Sequence, residues 1–244
     1  MTSGSPRWLD RRLNPQERFG LRLTLFALAT VLVAVPFFFL LVQVTTGGPV
    51  TRLDTRVSAE FHEEVLESPI LEPAFEVVSF IASPPAFYLA SFAAAVFFWR
   101  RGSRRVAAYL VLTNLLGGAI NSTVKVLVDR PRPELDHPIG EAFGYSFPSG
   151  HTVAATVGFG SLLLAFMPFI PRAWRPVAIA GYFAAVALVA ASRLGLVVHY
   201  FSDVLAGFIL GLAWLALATA AFSIWRAELG RSKVDLQEGL APEA

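Results

Sequence analysis

The chain has no cysteine, and only two of its 20 basic residues, Lys125 and Lys233, are lysines. The first absence excludes a disulfide framework, a thiolate nucleophile and thiolate metal ligands. The second reads as a compositional bias toward arginine, without functional content. Charge is scarce too: Asp, Glu, Lys and Arg make up 16% of the 244 residues, against about 25% in a typical soluble domain. Apolar residues take the vacated share. A hydrophobic content of 55% and a mean hydropathy of +0.58 exclude an ordinary soluble fold.

A membrane-crossing helix needs about 20 apolar residues. Six runs are candidates: Leu21–Val44, Pro84–Phe98, Val106–Val128, Ser149–Phe169, Pro176–Leu194 and Asp203–Trp225. The second is short, and the apolar Ile70–Ser83 stretch before it extends it or packs against it. The first is read as a span, not a signal peptide, because it is too long for an h-region and no small-x-small cleavage site follows. Basic residues fall before the first run (Arg7, Arg11, Arg12, Arg18, Arg22), between the second and third (Arg100, Arg101, Arg104, Arg105), between the fourth and fifth (Arg172, Arg175) and after the sixth (Arg226, Arg231, Lys233). With six crossings these positions share one side, and the positive-inside rule makes that side cytoplasmic.

The expected fold is therefore all-α: an integral membrane bundle of six transmembrane helices with both termini in the cytoplasm. Residues 1–20 form a cytoplasmic N-terminal segment, 21–225 the membrane domain, and 226–244 a cytoplasmic tail expected to be disordered. The calculated pI near 9.2 does not point to nucleic acid, because most cations are used for topology. The bilayer is the expected partner. Oligomeric state is not legible.

Three clusters lie at the outer ends of the runs in this topology. Lys125 closes the third run, with Arg132-Pro133 just after it; Pro148-Ser149-Gly150-His151 opens the fourth; Ser192-Arg193 closes the fifth, with His199 and Asp203 opening the sixth. Ionisable groups at such depth are functional-site candidates, although a single Lys or Arg there also fits an interface anchor. Ser149 has the character of a helix N-cap, which aims free N–H groups and the positive end of the helix dipole at an anion. His199 and Asp203 are four apart and would share one helix face. The carboxylate would hold the imidazole Nδ1–H and leave Nε2 free to attack. Lys125, Arg132 and Arg193 supply three cations for the equatorial oxygens of a transferring phosphoryl group, and arginine's planar fork suits two of those contacts.

Lys125-x6-Arg132-Pro133, Pro148-Ser149-Gly150-His151 and Ser192-Arg193-x5-His199-x3-Asp203 together resemble the three-part signature of the type 2 phosphatidic acid phosphatase superfamily, in its membrane lipid phosphate phosphatase branch. Every signature position is filled in the same order and internal spacing, over about a third of the chain. The resemblance implies that His199 is the nucleophile that becomes phosphorylated and that Asp203 orients it. It implies that His151 protonates the leaving oxygen, and that Lys125, Arg132, Ser149, Gly150 and Arg193 bind the phosphate. It implies no metal and no cofactor. His62-Glu63-Glu64 lacks the i, i+4 histidine pair of a zinc helix, and His137 reads as loop surface. A neutral His199 and a protonated His151 predict a bell-shaped rate profile.

The expected function is a metal-independent lipid phosphatase of the cell membrane, multi-pass, with its active site on the extracytoplasmic face. By resemblance its substrate class is undecaprenyl diphosphate, phosphatidylglycerophosphate or phosphatidic acid. Three alternatives stand beside it: a soluble vanadate haloperoxidase, against which the apolar runs argue; a phosphotransferase passing the phosphoryl group to another lipid or sugar; and a non-catalytic lipid carrier. Between the first two runs, Thr55–Leu66 reads as an amphipathic outer helix with Val57, Phe61 and Val65 on one stripe. Gly117-Gly118 and Gly207-x3-Gly211 read as sites of close helix packing.

Overall fold

The computed structural model describes residues 21–134, 143–228 and 239–240, and every regular element among them is helical. In chain order these are α1 (Leu21–Thr45), α2 (Pro49–Glu67), α3 (Leu71–Ile81), α4 (Pro84–Arg100), α5 (Arg104–Val128), α6 (Gly150–Phe166), α7 (Arg175–Gly195) and α8 (Phe201–Glu228). Two 3₁₀ turns, Met167–Phe169 and Arg172–Trp174, join α6 to α7. Helix starts follow local chemistry. Proline stands in the first turn of α2, α4 and α7, where its missing N–H leaves no bond unmade. Asp129 ends α5 in the left-handed region at φ 51°, and Pro131 and Pro133 prevent the helix from resuming.

Helices α5 to α8, with the turn residues that precede or follow them, are long and apolar enough to cross a membrane. Two bent pairs raise the number of crossings to six if each pair counts as one: α1 with α2, at 83°, and α3 with α4, at 42°. In the second pair the apolar segment before the short Pro84 run forms its own helix, bent by 42° from α4. Helix α2 carries Arg52, Asp54, Arg56, Glu60, Glu63, Glu64 and Glu67, too many charges for a span. Its right-angle turn from α1 is the geometry of a helix lying across the end of the bundle.

That helix departs from the expected pattern. It begins six residues earlier than Thr55, and its buried residues are Asp54, Ser58 and Val65, while Val57 and Phe61 are only half-buried. A polar stripe thus faces the protein beside the apolar one. The reason is a set of buried polar partners on α8 and on the chain after α5.

Helix α6 is the central post. Of its most apolar window 56% is buried, against 22%, 28% and 33% for α5, α7 and α8, so it is the helix the others surround. It packs against α4, α5, α7 and α8. Away from the site, Phe98, Val106, Tyr109, Leu110 and Phe222 close the core where α4 turns into α5. At the other end, Phe147 is fully buried against Leu40 and Ala206 and anchors the chain entering α6. The Gly207-x3-Gly211 packing expectation is met: a Cβ on Gly207 would lie 2.8 Å from the Ser149 carbonyl, and one on Gly211 would lie 2.7 Å from Thr156 Cβ.

The expected N-terminal segment 1–20 lies outside the described residues, as does His137. Expectation and structure differ in part of the tail. Helix α8 continues to Glu228, and Leu240 is buried in the core with its N–H donating to the Leu164 carbonyl at 2.9 Å. Transfer of that leucine out of water opposes disorder at this point. The other residues of 229–244 lie outside the described set.

Candidate active site

The three clusters meet at one end of the bundle. Ser149 caps α6: its Oγ accepts from the Thr152 N–H at 3.4 Å and from the Thr152 hydroxyl at 3.0 Å. Its own N–H donates to the Asp203 carbonyl at 2.9 Å, so the second cluster is fastened directly to the third. Gly207, one turn further along α8, permits that approach. Gly150 permits another, since a Cβ there would sit 3.3 Å from Asn121 Nδ2 and 3.8 Å from Lys125 Cε on α5.

A cavity of about 260 Å³ opens between α4, α5 and α6. Lys125, Arg132, Gly150, His151 and His199 stand on its wall, together with Asn121 and Ser122. Five of the eight expected site residues therefore line one space. The other three are buried around it. Asp203 is behind His199, Ser149 is consumed in its cap, and Arg193 turns toward α3, where one Nη donates to Ser79 Oγ. Arg193 Nε is buried and has no hydrogen-bond partner among the described residues.

The cations hold the loop ahead of α6. Lys125 Nζ donates to the carbonyls of Tyr145 and Ser146 at 2.5 and 3.2 Å. Arg132 donates to the carbonyls of Gly144 at 2.9 Å, Phe143 at 3.0 Å and Val198 at 2.6 Å. Arg132 Nη1 also lies 3.3 Å from His199 Nε2. Burial pulls the Arg132 guanidinium below its ordinary pKa, partly offset by Asp203.

His199 and Asp203 do not share a helix face as the i, i+4 spacing suggested. His199 precedes α8, in a turn that passes through Val197 at φ 53°. A β-branched residue in the left-handed region is a strained one, so this turn is held by its surroundings. Asp203 sits in the first turn of α8 and accepts from the Tyr200 N–H at 2.9 Å, one half of a capping box. The direct contact is long: Nδ1 and Oδ2 are 3.6 Å apart. Ser146 fills the gap, with its Oγ 3.3 Å from His199 Nδ1 and donating a short hydrogen bond to Asp203 Oδ2. Beside the long direct contact, a second path runs from His199 Nδ1 to Ser146 and from Ser146 to Asp203. His199 is fully enclosed, and burial pushes its pKa down to about 4 despite the carboxylate.

Two residues outside the sequence expectation complete the arrangement. Arg130 Nη1 donates to Asp203 Oδ1 at 2.5 Å and to Ser202 Oγ at 2.8 Å, and its Nη2 donates to Asp54 Oδ2 at 2.7 Å. Asp54 Oδ1 and Oδ2 accept from the Ser202 N–H and hydroxyl at 2.8 and 2.6 Å. Neither Arg130 nor Asp54 was a candidate in the sequence: Arg130 stands two residues before Arg132, and Asp54 directly precedes the expected Thr55–Leu66 helix. Among the described residues no three His, Asp or Glu side chains come together as a metal site.

The fold is all-helical among the described residues, with apolar helices long enough to cross a membrane and a pocket at one end lined by Lys125, Arg132, His151 and His199. The PAP2 superfamily model matches residues 106–226, and the chain belongs to that superfamily. Phosphatidylglycerophosphatase B of Bacillus subtilis (strain 168) is 35% identical over 123 residues, covering 49% of this chain and 58% of that protein. A lipid A 1-phosphatase of Rhizobium johnstonii is 32% identical over 125 residues, covering 47% of each. The chain spans about half the length of the curated relatives it matches. The crystal structure of a transmembrane PAP2 type phosphatidylglycerolphosphate phosphatase from Bacillus subtilis has the same fold. It superposes with a TM-score of 0.66 at 23% identity, over 77% of this chain and 92% of that one.

Proposed function

We propose that the chain is a membrane phosphatase that hydrolyses a lipid phosphate or diphosphate at the extracytoplasmic face through a phosphohistidine on His199. The observation that carries this reading is that His199 Nε2 meets Arg132 Nη1 at 3.3 Å on the wall of a cavity also lined by Lys125 and His151. Arginine only donates, so Nε2 is the unprotonated nitrogen and Nδ1 holds the proton toward Ser146.

In the proposed reaction, Lys125 and Arg132 exchange loop carbonyls for phosphate oxygens, with the Gly150 N–H at the positive end of α6. Ser149 and Arg193 are assigned to the same cradle. The Nε2 lone pair forms the N–P bond as the P–O bond breaks, and His151 gives its proton to the departing oxygen. Asp203 stabilises the imidazolium through Ser146. Water then attacks phosphorus, the N–P bond breaks with its electron pair returning to Nε2, and phosphate is released. No step needs a metal.

The substrate class is undecaprenyl diphosphate, phosphatidylglycerophosphate or phosphatidic acid. The name of the Bacillus relative favours phosphatidylglycerophosphate, and that of the Rhizobium relative adds a lipid A 1-phosphate. The proposed topology has six crossings, both termini cytoplasmic, and α2 on the outer surface. Phosphate release by the purified protein across those lipids, with and without chelator, tests the reading. Turnover without an added acceptor and insensitive to chelator is expected. Turnover only in the presence of an acceptor alcohol or sugar would make the protein a phosphotransferase instead.

A further inference from the structure

Asp203 faces two cationic demands at once. Its Oδ1 holds the guanidinium of Arg130 at 2.5 Å, while its Oδ2 serves His199 through Ser146. A carboxylate paired so closely with an arginine has little net charge left for a second cation. The structure supplies a counterweight. Asp54, fully buried on α2, takes the other side of the same guanidinium at 2.7 Å, and both of its oxygens also accept from Ser202. Two carboxylates thus share one arginine, and the set carries a net charge of −1 directed at His199.

We propose that Asp54 is a positioning residue for phosphoryl transfer: by neutralising Arg130 it leaves the charge of Asp203 available to His199. The inference rests on the function proposed above. When Nε2 bonds to phosphorus, the ring keeps its Nδ1 proton and becomes cationic, and the −1 of the three-residue set is its counter-charge. Without Asp54 the set is neutral and the ring develops its positive charge beside an arginine. Removing a buried carboxylate from a buried arginine also destabilises a fold, so loss of activity alone would not identify the role. The outer helix thereby becomes part of the catalytic apparatus even though it touches no substrate.

The distinguishing measurement is a double-mutant cycle. Asp54→Asn keeps the shape and an acceptor for the Ser202 N–H but strands the charge of Arg130. It should lower kcat roughly 10-fold or more with little change in KM, judging from what an opposite charge within a few ångströms does to an ionisation. The loss should be equal on alkyl and nitrophenyl phosphates, because it acts on the nucleophile and not on the leaving oxygen. Arg130→Gln added to Asp54→Asn removes the stranded charge and returns the set to the net −1 of Asp203, within a hydrogen-bonded network. Activity of the double variant should rise above that of the single and exceed a tenth of wild type. A double variant no more active than Asp54→Asn, or an Asp54→Asn enzyme with wild-type kcat, overturns the proposal. If Asp54→Asn does not fold, as judged by its melting in detergent, the double variant decides alone: below a tenth of wild type, the proposal is wrong. His199→Ala separates the two levels of inference. Phosphate release by that variant would sink the reading of the site itself, whereas an inactive His199→Ala beside an unrecovered double variant would sink only the role of Asp54.

Discussion

Arg132 Nη1 and His199 Nε2 stand 3.3 Å apart, and since the guanidinium has no lone pair the imidazole nitrogen must be the acceptor. The nitrogen assigned to attack is thus held in its reactive tautomer by a residue assigned to bind the target. Ser146, on the far side of the ring, fixes the other proton. The residues assigned to phosphate binding and to nucleophile orientation share one network, so substitutions in either should affect both.

The burial of His199 sets the acid side of the rate profile. Its pKa is lowered to about 4 from 6.5, so the neutral, nucleophilic form persists as pH falls through the ordinary histidine range and is lost only near pH 4. After correction for the substrate's own phosphate ionisation, near pH 6, the acid limb of kcat/KM should lie well below 6.5. A limb centred at 6.5 would mean a hydrated nucleophile and would contradict the enclosed turn described here.

Packing between α6 and α8 should limit the rate through one glycine. Gly207→Ala places a Cβ 2.8 Å from the Ser149 carbonyl and 3.2 Å from Thr152 Cβ, so the α6 N-terminus must move away from Asp203. A misplacement of about 1 Å between His151 and His199 should cost on the order of 10²-fold in kcat. Gly181→Ala on α7, where a Cβ meets nothing within 4 Å, is the control and should leave both melting and kcat unchanged. Wild-type kcat in Gly207→Ala would mean that the contact yields without moving the site.

The sequence made the positions of the clusters legible because span ends are set by where charge or turn chemistry interrupts apolar runs, as at Lys125 and at the Pro148-Ser149-Gly150 cap. It misread the relation of His199 to Asp203, because spacing cannot tell a continuous helix from a turn held at Val197. Asp54 was illegible for a different reason. Its ion pair with Arg130 joins residues 76 apart in the chain, and only the right-angle turn after α1 brings them together. Ser146 was hidden by its ordinariness: a serine ahead of a motif has no signal until a histidine and an aspartate are seen on either side of it.

Sidedness offers a test independent of chemistry. In this cysteine-free chain, a cysteine replacing Glu67, exposed at the end of α2, should react with an impermeant thiol reagent added from outside. Cysteines replacing Arg101 or Ala173, exposed in the turns at the other end of the bundle, should react only after the membrane is opened. Reversed labelling would put the pocket in the cytoplasm and remove the extracytoplasmic substrates from consideration.

The division of labour between the two histidines can be read from leaving-group dependence. His199→Ala removes the only side chain assigned to take the phosphoryl group, so turnover and acid-labile phosphate on the protein should both vanish, on every substrate. His151→Ala keeps Lys125, Arg132 and the nucleophile in place, so inorganic phosphate should still bind. Departure of an alkoxide should slow by roughly 10²–10⁴-fold, the usual worth of a general acid. A nitrophenyl leaving group is stable without a proton and should lose much less. Asp203→Asn should fall between the two variants, keeping the shape around Ser146 while losing the charge that faces the imidazolium. The comparison that decides is the ratio of lipid to nitrophenyl activity in each variant. That ratio should drop sharply in His151→Ala and stay near wild type in Asp203→Asn, whose defect lies with the nucleophile. An unchanged ratio in His151→Ala would remove it from the leaving-group side of the reaction and leave the proton donor unassigned.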